Sequence, residues 1–115
     1  NCIDMVEIWG SGKQEREWLY VEDGVKAITK SFELASGCNT FNIGTNKTVS
    51  IKELAELIKI KSNWEGLFDY NTTKPEGVLK KSVDGNYGNN LISWSPKVNI
   101  EMGIEKTISW YLENL

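Results

Sequence analysis

An α/β fold, organised as one α+β lobe over residues 1–115, is predicted by three features of the sequence. Apolar residues alternate with polar ones over residues 3–9, the period of a half-buried strand. Further on they recur at steps of three and four, the period of helices with one apolar face. Glycines such as Gly10, Gly12, Gly37 and Gly44 fall where one period gives way to the next. A chain of 115 residues is one domain or a piece of one. Its 40% apolar and 25% charged residues are ordinary for a packed globular chain and unlike those of a disordered one.

Taken in order, Ile3 to Trp9 reads as a strand, broken by Gly10-Ser11-Gly12-Lys13. Trp18-Leu19-Tyr20-Val21 reads as a second strand. Glu22-Asp23 then opens a helix, its acidic groups facing the positive end of the helix dipole. Val25, Ile28, Phe32 and Ala35 form one apolar stripe on that helix, and Gly37 ends it. Thr40 to Gly44 reads as a short buried strand. Ser50 and Glu53 have the spacing of a capping box, opening a helix that turns Ile51, Leu54, Ala55 and Ile58 inward. Leu67 to Tyr70 reads as a strand, followed by a polar stretch from Asn71 to Lys81. Ile100, Ile104, Ile108, Tyr111 and Leu115 mark a final helix. The pattern is ββαβαβ with a terminal helix, without repeats, low-complexity tracts or linkers.

Composition excludes several classes of function. Thirteen cationic against sixteen anionic side chains leave a net charge of -3, which disfavours nucleic-acid binding. The chain has no histidine, so a histidine-based triad or pH switch cannot be built from it. Cys2 and Cys38 are too few for a disulfide scaffold and too far apart for a metal knuckle; a single disulfide is open to them, and two buried or idle thiols of a reducing compartment is the preferred reading. No apolar run reaches the length of a membrane span. The chain opens on Asn1 in place of Met, which leads us to expect a segment cut from something longer.

Four segments invite a chemical reading. Gly10-Ser11-Gly12-Lys13 has neither the glycine spacing of a phosphate loop nor that of a dinucleotide fingerprint, because Glu7 and Glu15 stand where small residues are required. A plain turn between strands fits it. Arg16 is the only arginine beside twelve lysines; its planar fork matches phosphate or carboxylate oxygens, or pairs on the surface with Glu15, Glu17 or Glu22. Tyr70 and Lys74 have a Tyr-x-x-x-Lys spacing, but Pro75 and the intervening Asn-Thr-Thr read as loop where that pair requires a helix. Lys74-Pro75-Glu76-Gly77 with Lys80 and Lys81 is a stiffened turn rich in cations, either an anion clamp or a solvated loop.

Together these segments resemble one family in order and spacing. Trp9-Gly10-Ser11-Gly12 through Arg16-Glu17-Trp18-Leu19-Tyr20-Val21-Glu22-Asp23 is similar to a segment of the extended short-chain dehydrogenases that act on nucleotide sugars, the NAD-dependent epimerase/dehydratase family. Phe41 to Thr45 and Val49 to Ala55 resemble that family's next strand and helix. Lys74 to Gly77, Asp84, Trp94 to Lys97 and Gly103-Ile104 complete the pattern. Within the family the resemblance is to the epimerase-reductases of GDP-sugars.

The resemblance implies the C-terminal, substrate-binding part of a Rossmann-type enzyme, without the N-terminal dinucleotide-binding domain. NADP or NAD, the catalytic residues and hydride transfer would then belong to the other half, and none is expected of this chain alone. It implies a nucleotide-sugar substrate, with a GDP-sugar favoured, a homodimeric parent, a cytoplasmic setting, and neither nucleic acid nor membrane as partner. It also implies substrate contacts for Arg16 and Lys74 and a pocket-lining role for Trp9. Two cations from separate segments would neutralise a diphosphate and so orient the sugar. Three departures loosen the choice of base: Glu76 replaces the usual Asp, Lys80-Lys81 lie where Pro-Arg-Lys is common, and Ser93 precedes Trp94 where glycine is usual. The alternatives are the same lobe of a UDP-sugar 4-epimerase or a sugar-nucleotide dehydratase, and a free-standing binding module without catalysis.

Overall fold

The computed structural model describes residues 4–34 and 37–115, so Cys2 and Ala35 of the sequence reading lie outside the described residues. The first strand, β1 (Met5–Trp9), ends at the glycine turn as its alternation predicts. It pairs in parallel with β4 (Leu67–Asn71), Met5 opposite Leu67 and Trp9 opposite Asn71. The second strand is displaced from its predicted place. β2 occupies Glu15–Glu17, and the apolar run after it leaves the sheet. Leu19 packs against the core, while Trp18 and Tyr20 line a groove against the helices. Leu19 and Tyr20 are half-buried here by packing and not by strand pairing, while Trp18 and Val21 stay exposed.

β2 is the centre of a second sheet, with β3 (Thr48–Ser50) antiparallel on one side and β5 (Lys80–Lys81) parallel on the other. Neither flanking strand is legible as a run, because each is only two or three residues long and exists through its partner. Thr40 to Gly44, predicted as a strand, is extended chain with no strand beside it among the described residues. The side-chain amide of Asn89 takes the place of a neighbour, donating to the Gly44 carbonyl at 2.9 Å and accepting its N–H at 3.4 Å. Asn89 stands on α3 (Asn86–Leu91), which no periodicity announces. That helix comes close enough to the extended segment that a Cβ on Gly88 would lie 2.0 Å from the Asn42 carbonyl oxygen.

The first helix, α1 (Val21–Ser31), turns Asp23 and Ala27 inward; Ala27, Ile92 and Trp94 form the buried core. Its apolar stripe faces out: Val25, Ile28 and Phe32 are 55%, 58% and 83% exposed. α2 (Ile51–Ser62) begins with the predicted capping box. Ser50 Oγ accepts the Glu53 N–H at 3.1 Å and the Glu53 carboxylate accepts the Ser50 N–H at 2.9 Å. Ile51, Leu54 and Ala55 are half-buried, whereas Ile58 stays exposed along the groove shared with α4 (Ile100–Glu113). Asn99 caps α4 by accepting the Met102 N–H. The observed order is ββαβαββαα, a mixed α/β unit of the predicted class.

Candidate functional site

Arg16 sits in the middle of β2, half-buried, with Val49 opposite on one neighbouring strand and Lys81 on the other. Arg16 and Lys81 line one cavity of about 270 Å³, walled also by Glu17, Leu19, Ile43, Gly44 and Val83. One arm of the guanidinium is fixed, Nη1 donating to the Glu15 carbonyl at 2.7 Å. The surface ion pairs open to Arg16 in the sequence do not form among the described residues. Glu15 accepts from the Thr48 hydroxyl at 2.6 Å and pairs with Lys80 at 3.0 Å; the Thr48 bond above all, and then Lys80, hold its carboxyl below the ordinary range. Glu17 accepts backbone N–H groups of Thr45, Asn46 and Val83. Arg16 and Lys81 are thus two cations on one cavity, neither in an ion pair among the described residues. The sequence names Lys81 only as one cation beside the Lys74–Gly77 turn, an anion clamp or a solvated loop; its place opposite Arg16 depends on a strand pairing across the chain.

Trp9 and Lys74 form a second cluster. The Lys74 ammonium lies 5.3 Å from the centre of the Trp9 indole, a cation over an aromatic face. The indole is held from its edge, Nε1 donating to the Glu7 carboxylate at 2.9 Å. Asn71, opposite Trp9 in the sheet, donates to the same carboxylate at 2.6 Å. The hydrogen bond from Asn71, followed by that from Trp9, holds the Glu7 carboxyl below its ordinary range. The Asn71 Oδ1 accepts from both the N–H and the hydroxyl of Thr73, an Asx-type turn that sets the direction of Lys74. Glu7 was legible only as a polar position two residues before Trp9 on one strand face.

Lys74 thus lies on Trp9, and Arg16 lies beside Lys81. The turn Lys74–Gly77 links the two places, because a Cβ on Gly77 would stand 3.8 Å from Arg16 Nη2. The same turn closes over the glycines after β1. Gly10 and Gly12 have φ of 87° and 75°, and the Glu76 carboxylate accepts the Ser11 N–H at 2.6 Å, which holds Glu76 below its ordinary range. A Cβ on Gly10 would meet Glu76 and Gln14, and one on Gly12 would meet the Tyr70 ring. The space that an open phosphate cradle would need is filled by these side chains. Dinucleotide phosphates do not fit this turn.

Tyr70 and Lys74 do not form a catalytic pair either. Tyr70 lies on β4 with its hydroxyl buried and without a hydrogen-bond partner among the described residues, and burial pushes the phenol up. Lys74 points to Trp9 instead. Among the described residues no three His, Cys, Asp or Glu side chains gather to hold a metal ion, and no helix is long and apolar enough to cross a membrane.

Comparison with known proteins agrees with the motif resemblance. A family profile described as the NAD dependent epimerase/dehydratase family matches residues 3–44. GDP-L-fucose synthase 1 of Arabidopsis thaliana is 37% identical over 115 residues, all of this chain and 35% of that protein. A GDP-L-fucose synthetase from Naegleria fowleri superposes with a TM-score of 0.86 at 25% identity, over 96% of this chain and 34% of that one. The UDP-glucose 4-epimerase of Thermotoga maritima, solved with UDP-glucose, superposes with a TM-score of 0.82 at 26% identity, over 96% of this chain and 35% of that one. The chain spans about a third of the length of the relatives it matches. It is similar, from end to end, to a part of the epimerase/reductases of nucleotide sugars.

Proposed function

We propose that this chain is the nucleotide-sugar-binding lobe of an NADP- or NAD-dependent epimerase/reductase similar to GDP-L-fucose synthase. The observation that carries the reading is Arg16 beside Lys81 on one cavity, two cations with no ion pair to either among the described residues. A diphosphate supplies the missing negative charge, and a guanidinium fork gives it direction. The turn whose Gly77 end stands beside Arg16 also carries Lys74 over the Trp9 face, a cation and an aromatic surface suited to the flatter part of a nucleotide. Cofactor, acid–base residues and hydride transfer fall to the rest of the relatives' length. The sequence reading of Arg16 and Lys74 as a diphosphate clamp is refined here: Lys81 is the partner that stands next to Arg16, and Lys74 works through Trp9.

Identity to GDP-L-fucose synthases over the whole chain favours a GDP-4-keto-6-deoxy sugar as substrate. A UDP-sugar is the second reading, supported by the fold shared with the epimerase solved with UDP-glucose. The cytoplasm and a homodimeric parent are the setting that this reading carries with it. In the full-length enzyme, Arg16→Ala is expected to raise KM for the nucleotide sugar while leaving the affinity for the dinucleotide unchanged. Steady-state kinetics checks it, and an unchanged KM would overturn the assignment.

A further inference from the structure

Glu17 places a carboxylate in the wall of the cavity that holds Arg16 and Lys81. Coulomb's law alone would make it oppose an entering anion. Its oxygens are committed elsewhere. Oε1 accepts the N–H groups of Thr45 and Asn46, the latter at 3.1 Å, and Oε2 accepts that of Val83 at 3.3 Å. These bonds reach segments 28 and 66 residues away in the chain, and both segments wall the cavity through Gly44 and Val83. The fit at Gly44 is close: a Cβ there would lie 2.1 Å from Glu17 Oε1. Asn46 carries the tie onward, accepting the Gly85 N–H at 2.9 Å and donating to Asn86 Oδ1 at 3.0 Å.

We infer that Glu17 is the positioning residue of this anion cavity, holding the 44–46 and 82–83 walls together while leaving Arg16 and Lys81 free for the ligand. The inference rests on the reading that the cavity takes a diphosphate. Its test uses opposite signs. If Glu17 acts only as a nearby negative charge, Glu17→Gln relieves repulsion and tightens anion binding. If it positions the walls, the same change breaks at least one tie, because a Gln amide nitrogen cannot accept an N–H, and binding weakens.

Glu17→Asp separates the two again: it keeps the charge but shortens the arm. The experiment is calorimetric titration of the full-length protein with GDP and with UDP. Both variants are expected to weaken the tighter of the two by about tenfold, the scale of one lost charge-assisted hydrogen bond. Adding Glu17→Gln to the double variant Arg16→Ala, Lys81→Ala should cause no further loss, since both cations that the walls present are then gone; a further loss would mean general damage and overturn the inference. Tighter or unchanged binding in Glu17→Gln or Glu17→Asp, with Arg16→Ala still weakened, overturns the inference and leaves the proposed function standing. If the wild type binds neither diphosphate, or if Arg16→Ala binds as the wild type does, the proposed function falls and the inference falls with it.

Discussion

Asp23 is fully buried beneath the start of α1, and its Oδ2 accepts the backbone N–H groups of both Lys97 and Val98 at 2.8 Å. The sequence presents Asp23 as an acidic residue facing a helix dipole. Its larger work is to pin the Trp94–Val98 segment against α1. Removing the carboxylate leaves two part-buried donors without that partner and opens a fully buried site, so Asp23→Ala is expected to cost about 2–4 kcal/mol of stability. Asn retains one oxygen that can accept, so Asp23→Asn should cost less than half of that. Denaturant titration checks both, and equal costs for the two would mean that packing and not hydrogen bonding holds the segment. Legibility at this scale follows chemistry and distance. Arg16 stands out because it is the one arginine in the chain, and Lys74 because it opens a stiff Lys-Pro turn. Lys81 is visible only as a cation beside that turn and Glu17 only as a neighbour of Arg16, because what they touch lies tens of residues away and no local pattern encodes it.

At the scale of elements, the signals that proved readable are those closed within one turn of chain. The capping box of α2 is one: Ser50 and Glu53 satisfy each other across three residues. Ser50→Ala is expected to cost about 1 kcal/mol. The Ser50 backbone N–H, followed by the Ser50 hydroxyl, holds the Glu53 carboxyl below its ordinary range. A carboxyl with a depressed value in the folded state adds stability above its unfolded value, and that contribution disappears as pH falls through the folded one. Thermal melts of Glu53→Ala should therefore fall below those of the wild type at neutral pH, and the gap should close in acid. A gap that stays constant across pH would mean that the charge takes no part in the cap. The short strands were unreadable for the converse reason. β3 and β5 exist by pairing with β2 from tens of positions away, Glu15 lying opposite Ser50 on one side and Lys80 on the other. The run Trp18 to Val21 had the composition of a strand, yet it leads into α1, with Tyr20 at the cap, Val21 the first helical residue and only Leu19 and Tyr20 half-buried.

The whole molecule is flatter than its length requires. Its radius of gyration is 17.1 Å with extents of 53 × 34 × 18 Å, whereas a compact domain of this size is expected near 13 Å. The stripe of α1 lies open on its surface: Val21, Val25, Ile28 and Phe32 are each more than half exposed. The periodicity that marked α1 as a helix was correct, but it could not say which face meets the core; Asp23 and Ala27 do. Large apolar side chains aligned on an open face are costly in water and mark a surface that something covers. On the reading proposed above, the remaining length of the enzyme covers it. Ile28→Glu then has effects of opposite sign in two settings. In the isolated chain it removes apolar surface from water, so self-association measured by light scattering should drop while the melting temperature holds. In the full-length protein it buries a charge without a partner, and the melting temperature should fall. A full-length protein indifferent to Ile28→Glu would mean that the stripe stays in water there too, and that the flat face belongs to a module standing on its own.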